Sequence, residues 1–317
     1  MRRSAPVVLL LLFAVLPGAL AAQVSTGAAT GPRLSGYLQP RFQAVGDSAT
    51  FLLRRARIAV DGQVAPWASY RAQIELRTIG APETPPGSPL TLSATDLWVR
   101  LADARWSATV GQFRVPFSLE SITGSTRLET TERARIINAA KRDIGVQVEW
   151  TLPQHLVVQG AVVNGEGPNR AVNRDNRMAY FARVMVTPIK GLEVGGAFQG
   201  YNDSTAVDAQ AAFRATRWTA RAEYVRQHRD ATNTRTTGWY GLATYELRPH
   251  RLQLVGRVQQ YDPSDQVTND RLTGYLAGVQ YFFRGDDFKI LADYDFFREQ
   301  GAQVNNNRAV VQLQVRF

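Results

Sequence analysis

Residues 305–317 read NNNRAVVQLQVRF. From Arg308 onward apolar and polar side chains take turns. Ala309, Val311, Leu313, Val315 and Phe317 fall on one side, and Arg308, Gln312, Gln314 and Arg316 on the other, with Val310 the exception. A period of two makes a strand with an apolar face and a wet face. By itself the segment suits a soluble sandwich as well as a membrane barrel.

The same alternation runs through the chain. In LLRRARIAVDG, Leu52, Arg54, Ala56, Ile58 and Val60 oppose Leu53, Arg55, Arg57 and Asp61. In WASYRAQIELRTI, Ala68, Tyr70, Ala72, Ile74 and Leu76 oppose Ser69, Arg71, Gln73, Glu75 and Arg77. DFKILADYDFF sets Phe288, Ile290, Ala292, Tyr294 and Phe296 against Lys289, Asp293 and Asp295. About sixteen such segments of roughly ten residues follow one another, the length a tilted strand needs to cross a membrane. The links between them alternate too. GQVAP, ADAR, LPQH, TPIKG, ATR, LRPH and RGDD are short, whereas 115–142, GEGPNRAVNRDN, QHRDATNTR, DPSDQVTND and EQGAQVNNN are longer and polar, with YNDST the short member of that set. Tight periplasmic turns and long outer loops produce this rhythm in an outer-membrane barrel; a sandwich has no reason to. The expected fold is all-β: a transmembrane antiparallel barrel of about 16 strands, with Phe317 closing the last one. In that register Arg54 and Arg226 face lipid near the outer rim, where they can meet the phosphates of outer-membrane lipid and lipopolysaccharide. At mid-membrane an arginine would cost about 2–4 kcal/mol.

Export fits this reading. Residues 1–22, MRRSAPVVLLLLFAVLPGALAA, carry two arginines, an apolar run too short to span, a Pro-Gly break and a small-residue close, the layout of a cleaved signal peptide. The barrel domain is then 23–317. There is no cysteine, so a closed hydrogen-bonded wall has to supply rigidity that disulfides cannot.

The chain has 37 Lys+Arg against 27 Asp+Glu; without Arg2 and Arg3 the balance is 35 to 27, or +8. The basic residues are spread through the strands rather than gathered in a patch, which argues against nucleic acid and for small anions. Alternation turns Arg55, Arg57, Arg71, Arg77, Arg100, Arg183, Arg221, Arg257 and Lys289 inward. The loop 115–142 adds Arg127, Arg133, Arg135, Lys141 and Arg142. Rings of fixed positive charge select anions, and a guanidinium fork matches phosphate or carboxylate oxygens. The competing role is bracing: wall arginines paired with Asp61, Glu75, Asp96, Glu149 and Glu223, and loop arginines tied down through Glu120, Glu129 and Glu132. The loop stretch RLETTERARIINAAKR has helical composition, and Gly111 and Pro116 are expected where strand hands over to loop. Trp98 is expected to face inward.

An enzyme needs a positioned Ser/His or Asp/His constellation. The three histidines are His155 and His250 in short turns and His228 in an outer loop, so none can share a wall site. No metal-ligand spacing is visible, and neither metal nor cofactor is expected. A non-conducting barrel acting as scaffold or adhesin is the other alternative, separated from a channel by ion conductance.

VGQFRVPFSLE (110–120) resembles the phosphate-selective porin O and P family, as do LRRARIAVDG (53–62), ERAR (132–135), RDIGVQ (142–147), NGEG (164–167) and the closing VQLQVRF, in order along the chain. The resemblance implies a sixteen-stranded homotrimeric porin of a Gram-negative outer membrane that passes anions, phosphate or polyphosphate among them. It also implies a long third loop folded inward to narrow the pore. One departure is plain: the family's phosphate-selective members add a lysine cluster, and the only lysines here are Lys141, Lys190 and Lys289.

Overall fold

The computed structural model describes residues 31–77, 91–136 and 142–317. The predicted signal peptide lies outside the described residues, as does Lys141.

Sixteen strands form among the described residues: β1 (Arg33–Val45), β2 (Ser48–Ala65), β3 (Ala68–Arg77), β4 (Thr91–Ala102), β5 (Trp106–Phe113), β6 (Asp143–Leu152), β7 (Leu156–Val163), β8 (Ala179–Ile189), β9 (Leu192–Tyr201), β10 (Ser204–Arg214), β11 (Trp218–Arg229), β12 (Thr234–Arg248), β13 (Leu252–Asp262), β14 (Leu272–Arg284), β15 (Phe288–Glu299) and β16 (Arg308–Arg316). Each pairs antiparallel with its chain neighbours, and β16 pairs with β1 through Arg41↔Gln312 and Leu38↔Val315. The sheet therefore closes on itself and leaves no edge. Phe317 completes the seam: its N–H and C=O bond with Gly36 at 3.0 and 2.9 Å.

Alternation sorts the two faces. Outward positions such as Ile58, Ile74, Val99, Val184, Tyr275 and Phe296 are exposed apolar residues, as a lipid-facing wall requires. Inward positions such as Gln39, Gln199, Gln280, Gln312 and Gln314 are polar and buried. Trp98 also sits inward, packed against a cluster that includes Phe113 and Phe181. The short links fall at the rim that holds both ends of the described chain, the periplasmic rim of such a barrel. The longer links fall at the other, although β1–β2 turns there through Gly46 and Asp47 alone.

One inward–outward expectation is overturned. Arg54 does not face lipid; its Nε lies 2.6 Å from Glu132 Oε1 inside the barrel. The cause is a bulge. Gln39 pairs with Arg55 but the adjacent Pro40 pairs with Leu53, so Arg54 is an extra residue and the parity of β2 reverses there. Arg226 is exposed on the outward face, opposite Val207 and Thr237.

The third outer link leaves β5 at Phe113. It forms one short helix, α1 (Leu119–Ile122), and a single 3-10 turn at Ser125–Arg127. The described part of the stretch expected to be helical, from Leu128 to Ile136, is not. Its backbone groups are satisfied by the wall instead of by each other: Thr131 N–H donates to Asp293 (2.5 Å), Arg135 N–H donates to Gln259 (2.6 Å), and the carbonyls of Leu128 and Glu129 accept from Lys289 (3.1 Å) and Gln280 (2.9 Å).

Candidate functional site

The loop meets the lumenal wall over most of its circumference. Its near end is apolar: Val115 and Phe117 are fully buried in one cluster with inward-facing Phe181, Val225, Tyr240 and Leu242. At the start of α1 the N–H groups of Leu119 and Glu120 donate to the two carboxylate oxygens of Glu223 on β11 (3.1 and 3.0 Å). Glu129 pairs with Arg221, which also donates to Thr123 Oγ1 at 3.2 Å. At the far side Glu132 is gripped by three guanidiniums, Arg41 (2.8 Å), Arg54 (2.6 Å) and Arg55 (3.5 Å). Those arginines, after the burial that opposes them, hold the Glu132 carboxyl well below the usual carboxylate range.

The inward basic residues therefore divide into two groups. Arg55, Arg221, Arg257 and Lys289 are buried behind the loop. Arg257 donates to the carbonyl of Glu132 (2.8 Å) and to Asp295 (3.3 Å), and Asp295 also takes Arg308 (2.6 Å). Lys289 holds Leu128 and Asp286. Arg57, also buried, makes a two-pronged pair with Glu75 at 3.0 and 3.1 Å. The second group lies on the wall from β3 to β8 and is less enclosed by the described part of the loop. Arg100 keeps 42% of its side chain accessible while contacting Glu149 at 3.4 Å, and Arg71 keeps 28% beside Asp61 at 2.5 Å. Arg183, half-buried, donates to Gln159 and Gln210 (3.1 Å each). Arg142, at the end of the loop, is instead buried and forks onto Asp96 at 2.8 and 3.2 Å. Arg77 lies at the end of β3.

In the loop, Arg133 donates to the carbonyls of Glu120 and Thr123, each at 2.6 Å, and to no carboxylate among the described residues. Arg127 and Arg135 are exposed. Sequence reasoning missed two members. Arg114, one residue before the expected loop, likewise donates among the described residues to carbonyls, of Ser121 and Thr123 (2.8 Å each). Arg41 sits in the alternating run Tyr37, Gln39, Arg41, Gln43 of β1, a signal that would have found it. Burial, then the neighbouring Arg142 guanidinium, draws Arg114 down to about 9. Burial, then Arg55, draws Arg133 down to about 10. Both stay cationic at neutral pH, with Asp96 near the first and Glu120 and Glu132 near the second.

Two of the quoted motifs meet here. Asp143 of RDIGVQ accepts from the N–H groups of Gly165 (3.1 Å) and Gly167 (3.0 Å) of NGEG, both glycines at positive φ. The carboxylate thus clasps the outer turn after β7. His155 and His250 lie at the short-turn rim and His228 at the outer end of β11, 3.3 Å from Asp230.

The model of a family described as Phosphate-selective porin O and P matches residues 35–208 and 192–317. The chain belongs to that family. This porin is an outer-membrane barrel, and porins are channels rather than enzymes. No curated protein matches it in sequence. Among solved structures it is similar to the outer membrane channel DcaP of Acinetobacter baumannii, with 12% identity, a TM-score of 0.69, and coverage of 94% of this chain and 100% of that one. It is also similar to OmpT, an outer membrane protein of Vibrio cholerae in trimer form, with 13% identity, a TM-score of 0.65, and coverage of 92% and 100%. The anion-selective porin from Comamonas acidovorans has 10% identity and a TM-score of 0.66, covering 91% and 99%. At such identities the likeness concerns the fold.

Proposed function

We propose that this porin is a water-filled diffusion channel preferring small anions, with phosphate or polyphosphate among its cargoes, and that it works as a homotrimer in contact with lipopolysaccharide. The observation that carries the reading is a set of inward arginines that stay partly accessible. Arg71, Arg100 and Arg183 on the wall keep part of their side chains accessible, and among the described residues Arg114 and Arg133 on the loop side have carbonyls rather than carboxylates as hydrogen-bond partners. An anion entering between them gains from charges already in place, while alternating carboxylates such as Asp61 and Glu149 keep it from binding too firmly to leave. Arg57, Arg55, Arg221, Arg257 and Lys289 add to the field but work mainly as braces. The family and the trimeric and anion-selective neighbours support the trimer and the anion preference.

The test is the reversal potential of the reconstituted protein in a planar bilayer under a salt gradient, with chloride and phosphate compared. Anion preference is the expected result, and cation preference would refute the charge argument. The apolar packing of Val115 and Phe117 favours one second reading, a loop that seals the barrel into a non-conducting scaffold or adhesin; absence of conductance would select it.

A further inference from the structure

The periplasmic rim carries a feature that passage of anions does not use. Two neighbouring hairpins, β12–β13 and β14–β15, each end in a bulge on their first strand. The register shifts between Glu246 and Arg248, so that Arg248 pairs with Leu252; it shifts again between Phe282 and Arg284, so that Arg284 pairs with Phe288. Phe288 is an exposed lipid-facing residue, and Leu252 neighbours lipid-facing Leu254. A cross-strand partner shares its face, so both bulges turn an arginine that strict alternation would aim at the lumen toward the lipid. Between them lies an exposed aromatic group, Tyr281, Phe283 and Phe288, with Phe283 and Phe288 stacked at 4.5 Å and Tyr281 against Phe283 at 4.9 Å. Leu252 is itself paired with Tyr281, which ties the two hairpins together.

The nearby carboxylates do not neutralise these arginines. Asp287 is held by Arg316 (2.5 Å) and only touches Arg284 at 3.9 Å; the Arg284 side chain is 84% accessible. Asp286 is held by Lys289 at 2.9 Å. Glu246 accepts from the N–H of His250. Arg248 and Arg251 are exposed and make no ion pair among the described residues.

We propose that this rim is a docking surface for an anionic phospholipid of the periplasmic leaflet, its phosphate held by Arg248 and Arg284 with Arg251 alongside, its glycerol region lying on the aromatic group. The depth fits, because aromatic belts lie at headgroup level. The charge fits as well: a zwitterionic headgroup brings its own ammonium, whereas a phosphatidylglycerol headgroup brings net negative charge to a pair of guanidiniums of which Arg284 alone has a carboxylate contact, at 3.9 Å.

The experiment is native mass spectrometry of the folded, detergent-solubilised protein titrated with phosphatidylglycerol or with phosphatidylcholine of matched chains. Wild type is expected to retain phosphatidylglycerol preferentially, and retention is expected to fall about fivefold for each of Arg248→Gln and Arg284→Gln. Arg248→Lys with Arg284→Lys restores most of it, and Arg174→Gln, in the exposed outer link after β7, leaves it unchanged. Heat-modifiable gel migration confirms that each variant is folded. Equal retention of both lipids, an unchanged Arg248→Gln/Arg284→Gln double variant, or an equal loss in Arg174→Gln would each overturn the proposal. Lipid retention is read without conductance, so it stands or falls separately from the channel function.

Discussion

Arg54 reaches Glu132 across the barrel because a bulge in β2 turns it inward, and the loop gains its third guanidinium there. Removing a carboxylate so enclosed takes the shared counter-charge from three mostly buried guanidiniums. Glu132→Gln should destabilise the folded barrel by about 3 kcal/mol, the range for breaking a buried ion pair. Arg54→Gln removes one partner of three and should cost about 1 kcal/mol. Denaturant unfolding followed by gel migration checks both; an Arg54→Gln loss as large as that of Glu132→Gln would contradict the shared clasp.

The two loop glutamates should titrate apart. Burial pushes Glu129 up despite the Arg221 guanidinium beside it, whereas the arginine triad holds Glu132 well below the usual range. A raised carboxyl takes up a proton more readily when folded, so Glu129 contributes relative stability as pH falls through its folded value. A depressed carboxyl contributes stability above its unfolded value, about 4.3, and loses it as pH falls further toward the folded value. The loop should therefore stay clasped in mild acid and loosen only below about pH 4. Conductance against pH is the measurement: Glu132→Gln should abolish the acid step, and Glu129→Gln should leave it in place.

The wall was legible in the sequence because burial on one face forces a period of two, and that period needs no partner to be seen. Gln312 and Gln314 turn inward and Val311 and Val315 outward as the alternation requires. Arg54 was not legible: a bulge adds one residue without changing composition, and its cause, the break opposite Pro40, sits on another strand. The absent helix at 128–136 fails for a related reason. Helical composition speaks for the chain alone, while the groups that claim its backbone, Asp293, Gln259, Lys289 and Gln280, lie more than a hundred residues away.

Buried and water-facing arginines should separate in experiment. Arg257 and Asp295 are both 1% accessible, so Arg257→Gln leaves a buried carboxylate short of a partner and should cost about 3 kcal/mol. Arg100 is largely accessible, and its contact with Glu149 is worth about 0–1 kcal/mol. Arg100→Gln should leave stability nearly unchanged yet lower the anion-to-cation permeability ratio. Unfolding and reversal potential measured on both variants test the division; equal effects on stability would remove it.

Gly111 should tolerate no side chain. It sits in β5 at φ 120°, a backbone region that other residues rarely adopt, and a Cβ there would lie 2.2 Å from the carbonyl oxygen of Leu97 on β4. That oxygen belongs to the wall and cannot swing aside as a flexible side chain would. Strain at such a position is worth about 1–3 kcal/mol, and the steric overlap adds to it. Relief would require β5 to move away from β4 just where the chain turns into the loop, so the disturbance should reach Phe113, Val115 and the apolar end of the loop. Gly111→Ala is therefore expected to fold in lower yield and to widen the distribution of single-channel conductance. Gly256→Ala, where a Cβ meets nothing within 4 Å, should do neither. If the two variants behave alike, the close approach at Gly111 does not position the loop.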